Sequence, residues 1–206
     1  MVKKLILIGV ALSLPAFATP TTVVSEQDMW QYSVLTQDLN SNWSSVDYST
    51  IDWSGITSWQ TGQAAFAEEI GSSPLIRHTV WAANTDLALQ KTVTVDGTFN
   101  GDLTLNLRLD NGAIVFINGT EVFKDNAWGN TTFPQWEYTQ LVDGSLFHQG
   151  TNLIQVLTED HGGNTYFDMQ LTGDLTANVP EPATMSLAFL GLMGIVGGAV
   201  ARKRKS

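Results

Sequence analysis

Trp128 sits in KDNAWGNTTF, among Asp125, Asn126 and Asn130. A flat indole gives the apolar C–H face of a sugar a platform, while neighbouring amides and carboxylates take its hydroxyls. Trp136 and Trp59 are the next candidates for that role, whereas Trp30, Trp43, Trp53 and Trp81 read as core or edge packing. A second constellation lies in LTEDHGGNTYFD, which brings Glu159, Asp160, Asn164 and Asp168 close together in sequence. Hard oxygen ligands in a loop suit Ca2+, so a structural calcium ion is the cofactor this stretch would take. The plainer alternative is a solvated acidic turn, and the same choice holds for Asp96, Asp102 and Asp110.

Signs of catalysis are missing. The chain has no cysteine, which excludes thiolate nucleophiles, Cys-ligated zinc and disulfides. It has no G-x-S-x-G elbow, H-E-x-x-H pair or EF-hand spacing, and His78, His148 and His161 are far apart. Glycoside hydrolysis needs two carboxyl groups at a set separation across a cleft. Among so many scattered acids no pair stands out, so the residues point to binding rather than turnover. A hydrolase acting on polysaccharide and a purely structural protein without a ligand are the alternatives.

These side chains need elements to hold them. DLTLNLRLD alternates Leu103, Leu105, Leu107 and Leu109 with polar residues, the pattern of a half-buried strand. Asn118-Gly119 between two apolar runs predicts a hairpin, and Asp110-Asn111-Gly112 a second tight turn. KTVTVDG, NLIQVLTED and TYFDMQLTG add strands, while GQAAFAEEI is the one stretch that suggests a helical turn. Repeated short strands with Gly/Asn/Asp turns predict an all-β sandwich over 29–176, preceded by a linker at 19–28. With no disulfides it must rest on its packed core, for which seven Trp, nine Phe and four Tyr supply area.

LRLDNGAIVFINGTEVFKDNAWG resembles the D-[DN]-G-x-x-[VI]-[YF]-[LI]-N-G-x-x-[VI] hairpin of galactose-binding-like domains. GTNLIQVLTEDHGGNTYFDMQL is similar to that family's G-x-N-x-[IL]-x-V and [YF]-F-D-x-x-L strands, and IDWSGITSWQTGQAAF to its W-x-x-G-x-A-x-F approach. Ala67 stands where a Gly is usual, and EDHGGNT replaces a Ser-rich stretch. The resemblance implies a jelly-roll β-sandwich, often with a structural calcium, of a kind of which several members bind glycans.

Charge is divided sharply along the chain. Between Glu26 and Asp174 lie nineteen acids and four bases, Arg77, Lys91, Arg108 and Lys124, for a formal charge of −15. A body of that sign lacks the basic face that nucleic-acid binding requires. The other six bases lie at the ends. MVKKLILIGVALSLPAFATP has a positive start, a short apolar run and a small-x-small site at Ala16-Phe17-Ala18, so residues 1–18 predict a signal peptide. Residues 183–201 carry no charge, and at 1.5 Å per residue a helix of this length is roughly 28 Å long, enough to span a bilayer. Arg202, Lys203, Arg204 and Lys205 then predict a stop-transfer cluster that stays cytoplasmic.

Val179-Pro180-Glu181-Pro182, an apolar span and a terminal basic cluster together resemble the PEP-CTERM sorting signal over 177–206. The resemblance implies that Pro180, Glu181 and Pro182 are read by an exosortase in the inner membrane of a Gram-negative bacterium that makes exopolysaccharide. The expected product is an exported protein, first an inner-membrane-anchored precursor and then part of the cell surface or matrix. Exopolysaccharide is its expected partner in a biofilm.

Overall fold

A computed structural model describes residues 18–35, 48–68, 76–126, 136–160 and 162–177. The expected signal peptide at 1–18, apart from Ala18, and the sorting motif, the expected membrane span and the expected stop-transfer cluster lie outside the described residues, as do Trp43, Trp128, Asn130 and His161. Among the described residues no helix is long and apolar enough to cross a membrane.

The domain is all-β. Its strands are β1 (Ala18–Val24), β2 (Met29–Leu35), β3 (Gln60–Gln63), β4 (Phe66–Ala67), β5 (Thr79–Val80), β6 (Asp86–Val95) and β7 (Gly97–Phe99), followed by β8 (Leu103–Asp110), β9 (Gly112–Ile117), β10 (Thr120–Asn126), β11 (Tyr138–Val142), β12 (Gly150–Glu159) and β13 (Tyr166–Ala177). They form two sheets. The first runs β11-β8-β13-β4-β5, with β1 and β7 also pairing with β13, and the second runs β10-β9-β12-β6-β2-β3. Successive strands cross between the sheets, as from β8 to β9 and from β12 to β13, in a jelly-roll-like sandwich.

Alternation explains which face each strand buries. Leu103, Leu105, Leu107 and Leu109 are all at most 1% exposed and meet Phe167, Met169 and Leu171 of β13 in the main core. Each such side chain contributes about 1.5–3 kcal/mol by leaving water. Strand β9 breaks the alternation, since Ala113–Ile117 is buried throughout. Val115 and Ile117 face the main core, while Ile114 and Phe116 pack outward with Ala88 and Leu157 under Ile51, Trp53, Ile56 and Trp59. The unbroken apolar run AIVFI is therefore that of a strand covered on both sides.

Two turns behave as their residues predict. Asn118 and Gly119 adopt φ of 48° and 82° and join β9 to β10, the left-handed pair that a two-residue hairpin needs. Asn118 also ties this end together, its Nδ2 donating to Leu146 O at 2.8 Å and its Oδ1 accepting from Leu153 N at 2.9 Å. Asp110-Asn111-Gly112 is tight as well, but it carries the chain from one sheet to the other.

Two expectations are corrected. GQAAFAEEI shows no helical turn in its described part: Gly62 and Gln63 end β3, and Phe66 and Ala67 form β4 against β13. Burial of Phe66 in the core outweighs the helix propensity of the alanines. Residues 19–28, expected as linker, contain β1, so the sandwich extends to Ala18. Pro20 is tolerated there because β1 pairs on one side alone, with β13, and a missing N–H costs nothing on an outer edge.

Candidate functional site

The inward leucines of β8 force its other side chains onto the outer face of the first sheet. Asn106, Arg108 and Asp110 stand there, opposite Gln170, Asp168 and Tyr166 of β13 in the antiparallel register. Glu26 and Gln27, in the turn from β1 to β2, cross over the same place, with Gln27 in left-handed backbone (φ 59°). Gln27 N donates to both Asp168 oxygens, at 3.1 and 3.3 Å, and Met169 N donates to Oδ1 at 2.9 Å. The Gln27 side chain meets His78 Nε2 at 2.9 Å.

Arg108 is the hub. Its Nη1 donates to Glu26 Oε1 at 2.5 Å, and the guanidinium lies 4.1 Å from the centre of the Trp136 ring, a cation–π stack. Its Nε is buried and makes no hydrogen bond among the described residues. A row of amides and hydroxyls continues across the face, Thr139 Oγ1 donating to Asn106 Oδ1 at 2.9 Å and Asn106 Nδ2 to Gln170 Oε1 at 3.4 Å.

Burial sets the electrostatics. It pushes Asp168 up to about 7, helped by the Glu26 charge and opposed by the Gln27 and Met169 amides and by Arg108. Burial also pushes Asp110 up to about 7, and the charges of Asp160 and Glu137 add to it. Tyr166 rises to about 12, again through burial first and then the charge of Asp168, with Arg108 pulling the other way. The site therefore pairs an aromatic platform and a fixed cation with carboxyl groups that keep their protons to near neutrality.

The residues expected from sequence divide between different places. Trp136 is part of this site. Trp59 lies on the outer face of the other sheet, half-buried on the Ile114–Phe116 cluster, so the two rings do not form one platform. Asp125 and Asn126, expected in a polar loop, belong to β10 and pair with Ala113 and Gly112, because the hairpin continues that far. Among the calcium candidates, Glu159 and Asp160 are buried at the end of β12. Asp160 N donates to Asp86 Oδ1 at 3.2 Å, and Asp160 Oδ2 accepts from Asn84 N at 2.5 Å. Asn164 is exposed, while Asp168 serves the Arg108 site on the other sheet. Among the described residues no group of three or more acids or histidines is arranged to hold a metal. Glu26, Arg108 and Tyr166 went unnoticed in the sequence, although Arg108 is one of only four cations in a body with nineteen acids.

No curated protein matches this chain. Similar solved structures include a beta-glucuronidase of an uncultured Clostridium sp., with 8% identity over 81% of this chain and 31% of that one and a TM-score of 0.45. The beta-glucuronidase of Ruminococcus gnavus shows 10% identity over 81% and 30%, with a TM-score of 0.47. The alpha-L-rhamnosidase of Streptomyces avermitilis shows 14% over 82% and 23%, with a TM-score of 0.37. The chain spans less than a third of the length of each of these. Residues 178–205 match the PEP-CTERM protein-sorting motif.

Proposed function

We propose that this is an exosortase-sorted protein of the cell surface or extracellular matrix, and that its sandwich is a non-catalytic module binding exopolysaccharide weakly through the Arg108–Trp136 face. The sorting half rests on the motif at 178–205. The binding half is supported by one arrangement above all: a half-buried tryptophan held by a stacked guanidinium whose Nε is unused, beside a row of amides and hydroxyls. Arg108 fixes one face of the ring, and the other is the face offered to a sugar. Asn106 and Gln170, half-buried and opposite each other in the register, are the groups on this face placed to take hydroxyls, with Asp168 buried beneath Gln27. Many copies on one surface gain avidity, so each site can be weak. Calcium is no part of this reading.

A glycan array probed with the full chain in detergent tests it. Binding to a subset of polysaccharides, lowered about tenfold by Trp136→Ala, is expected, taking the loss of one aromatic platform as about 1.4 kcal/mol, within the range of about 1–3 kcal/mol for bases stacked on aromatic rings. Uniformly flat binding refutes the module and leaves a structural surface protein. Release of reducing sugar from matrix polysaccharide refutes its non-catalytic character.

A further inference from the structure

The sandwich has two unlike ends, and the register shows which of them the sorting motif leaves from. Strand β13 ends at Ala177, paired with Gly97, and the preceding Thr176 pairs with Ala18 on one side and Thr98 on the other. The described chain thus begins and ends in adjacent positions of one sheet. Pro180 follows Ala177 after Asn178 and Val179 alone, and the uncharged run starts at Ala183. Even fully extended, Ala177 and Ala183 are roughly 20 Å apart. β13 has twelve residues, which places Tyr166 about 36 Å from Ala177 along the strand. The Arg108–Trp136 site clusters toward that far end.

We propose that the sandwich stands on the membrane surface by the end formed by β7 and the start of β1, and holds the Arg108–Trp136 site away from the bilayer. This rests on the reading that the sorting segment is held in the membrane. The tether fixes the near end within reach of the headgroups. Charge opposes lying flat on any leaflet that contains anionic lipid: the near end exposes Asp96, Asp102, Asp143 and Asp174, and lying flat would bring the whole −15 body down onto it. The contact is a stand-off rather than an adhesion, since the ladder residues at that end include no base.

The absence of cysteine allows single labels. Thr98→Cys marks the near end, Ala82→Cys the far end beside Trp81 and Asn84, and Ala188→Cys the uncharged run; Thr98 and Ala82 are exposed. The full chain is reconstituted in vesicles of phosphatidylcholine and phosphatidylglycerol, and each fluorophore is quenched by headgroup-labelled or acyl-labelled lipid. The Thr98 label is expected to be quenched by headgroup label at least about threefold more than the Ala82 label, because the two positions are separated by about the length of β6, roughly 30 Å. Equal quenching, or stronger quenching at Ala82, overturns the orientation alone, provided acyl label quenches Ala188. If Ala188 is not quenched, the segment is not in the bilayer, and the orientation falls together with the reading beneath it.

Discussion

Raising the pH should destabilise this domain, opposite to the usual behaviour of an acidic protein between mildly acid and neutral solution. The cause is Asp110, held at about 7 in the fold against an ordinary value of 3.8. Its folded pKa is raised, so the folded state keeps a proton that the unfolded chain has lost. The stabilisation is complete below 3.8 and disappears as pH rises through 7. Between about pH 6 and pH 8, a group with a folded pKa near 7 loses about 1.4 kcal/mol of stability. Asp168, also held at about 7, adds a similar amount. The total of about 3 kcal/mol corresponds to a fall in Tm of roughly 6–12 °C for a domain of this size. Thermal unfolding of the full chain in detergent, followed by circular dichroism at several pH values, measures it. Asp110→Asn removes the titration while keeping the shape. It should halve the slope and leave the variant more stable than the parent at pH 8, because the charges of Asp160 and Glu137 no longer face a third. A Tm that is flat or rising from about pH 6 to 8, or an unchanged slope in the variant, would refute the burial argument.

Four substitutions probe the fold itself, each read by urea unfolding. Leu107→Ala, wholly buried between the sheets, should cost about 2–5 kcal/mol, whereas Leu141→Ala, 62% exposed on β11, should cost less than about 0.5 kcal/mol. Gly97→Ala should cost at least about 2 kcal/mol, because Gly97 has φ 154° and a methyl there would run into the Thr176 carbonyl oxygen. Asn118→Ala should cost about 1–3 kcal/mol, having lost both the left-handed preference and the bonds to Leu146 and Leu153. A Leu141→Ala loss as large as that of Leu107→Ala would contradict the assigned faces of the first sheet.

Much of the architecture was legible in the sequence because periodicity and turn chemistry are local. The leucines of β8 and the Asn118-Gly119 hairpin each declare themselves within a few residues. Strand β1 did not, since ATPTTVV has a proline and no alternation, and its pairing with β13 joins positions about as far apart as the domain allows. The site was half legible. Trp136 could be picked as an exposed-type aromatic. Its partners come from a turn at Glu26, the middle of β8 and the start of β13, and no spacing rule links those positions. Arg108 was hidden by the clarity of the pattern around it: in a leucine alternation the polar positions read as solvent, whereas here Glu26, Gln27 and Trp136 cover them.

The pairing of β1 with β13 also bears on the order of events in the cell. The first of the described strands finds its neighbour only when the last of them is complete, so the first sheet closes late. Such end-to-end closure is slow and late by nature, because its long-range pairing must wait for both ends of the domain.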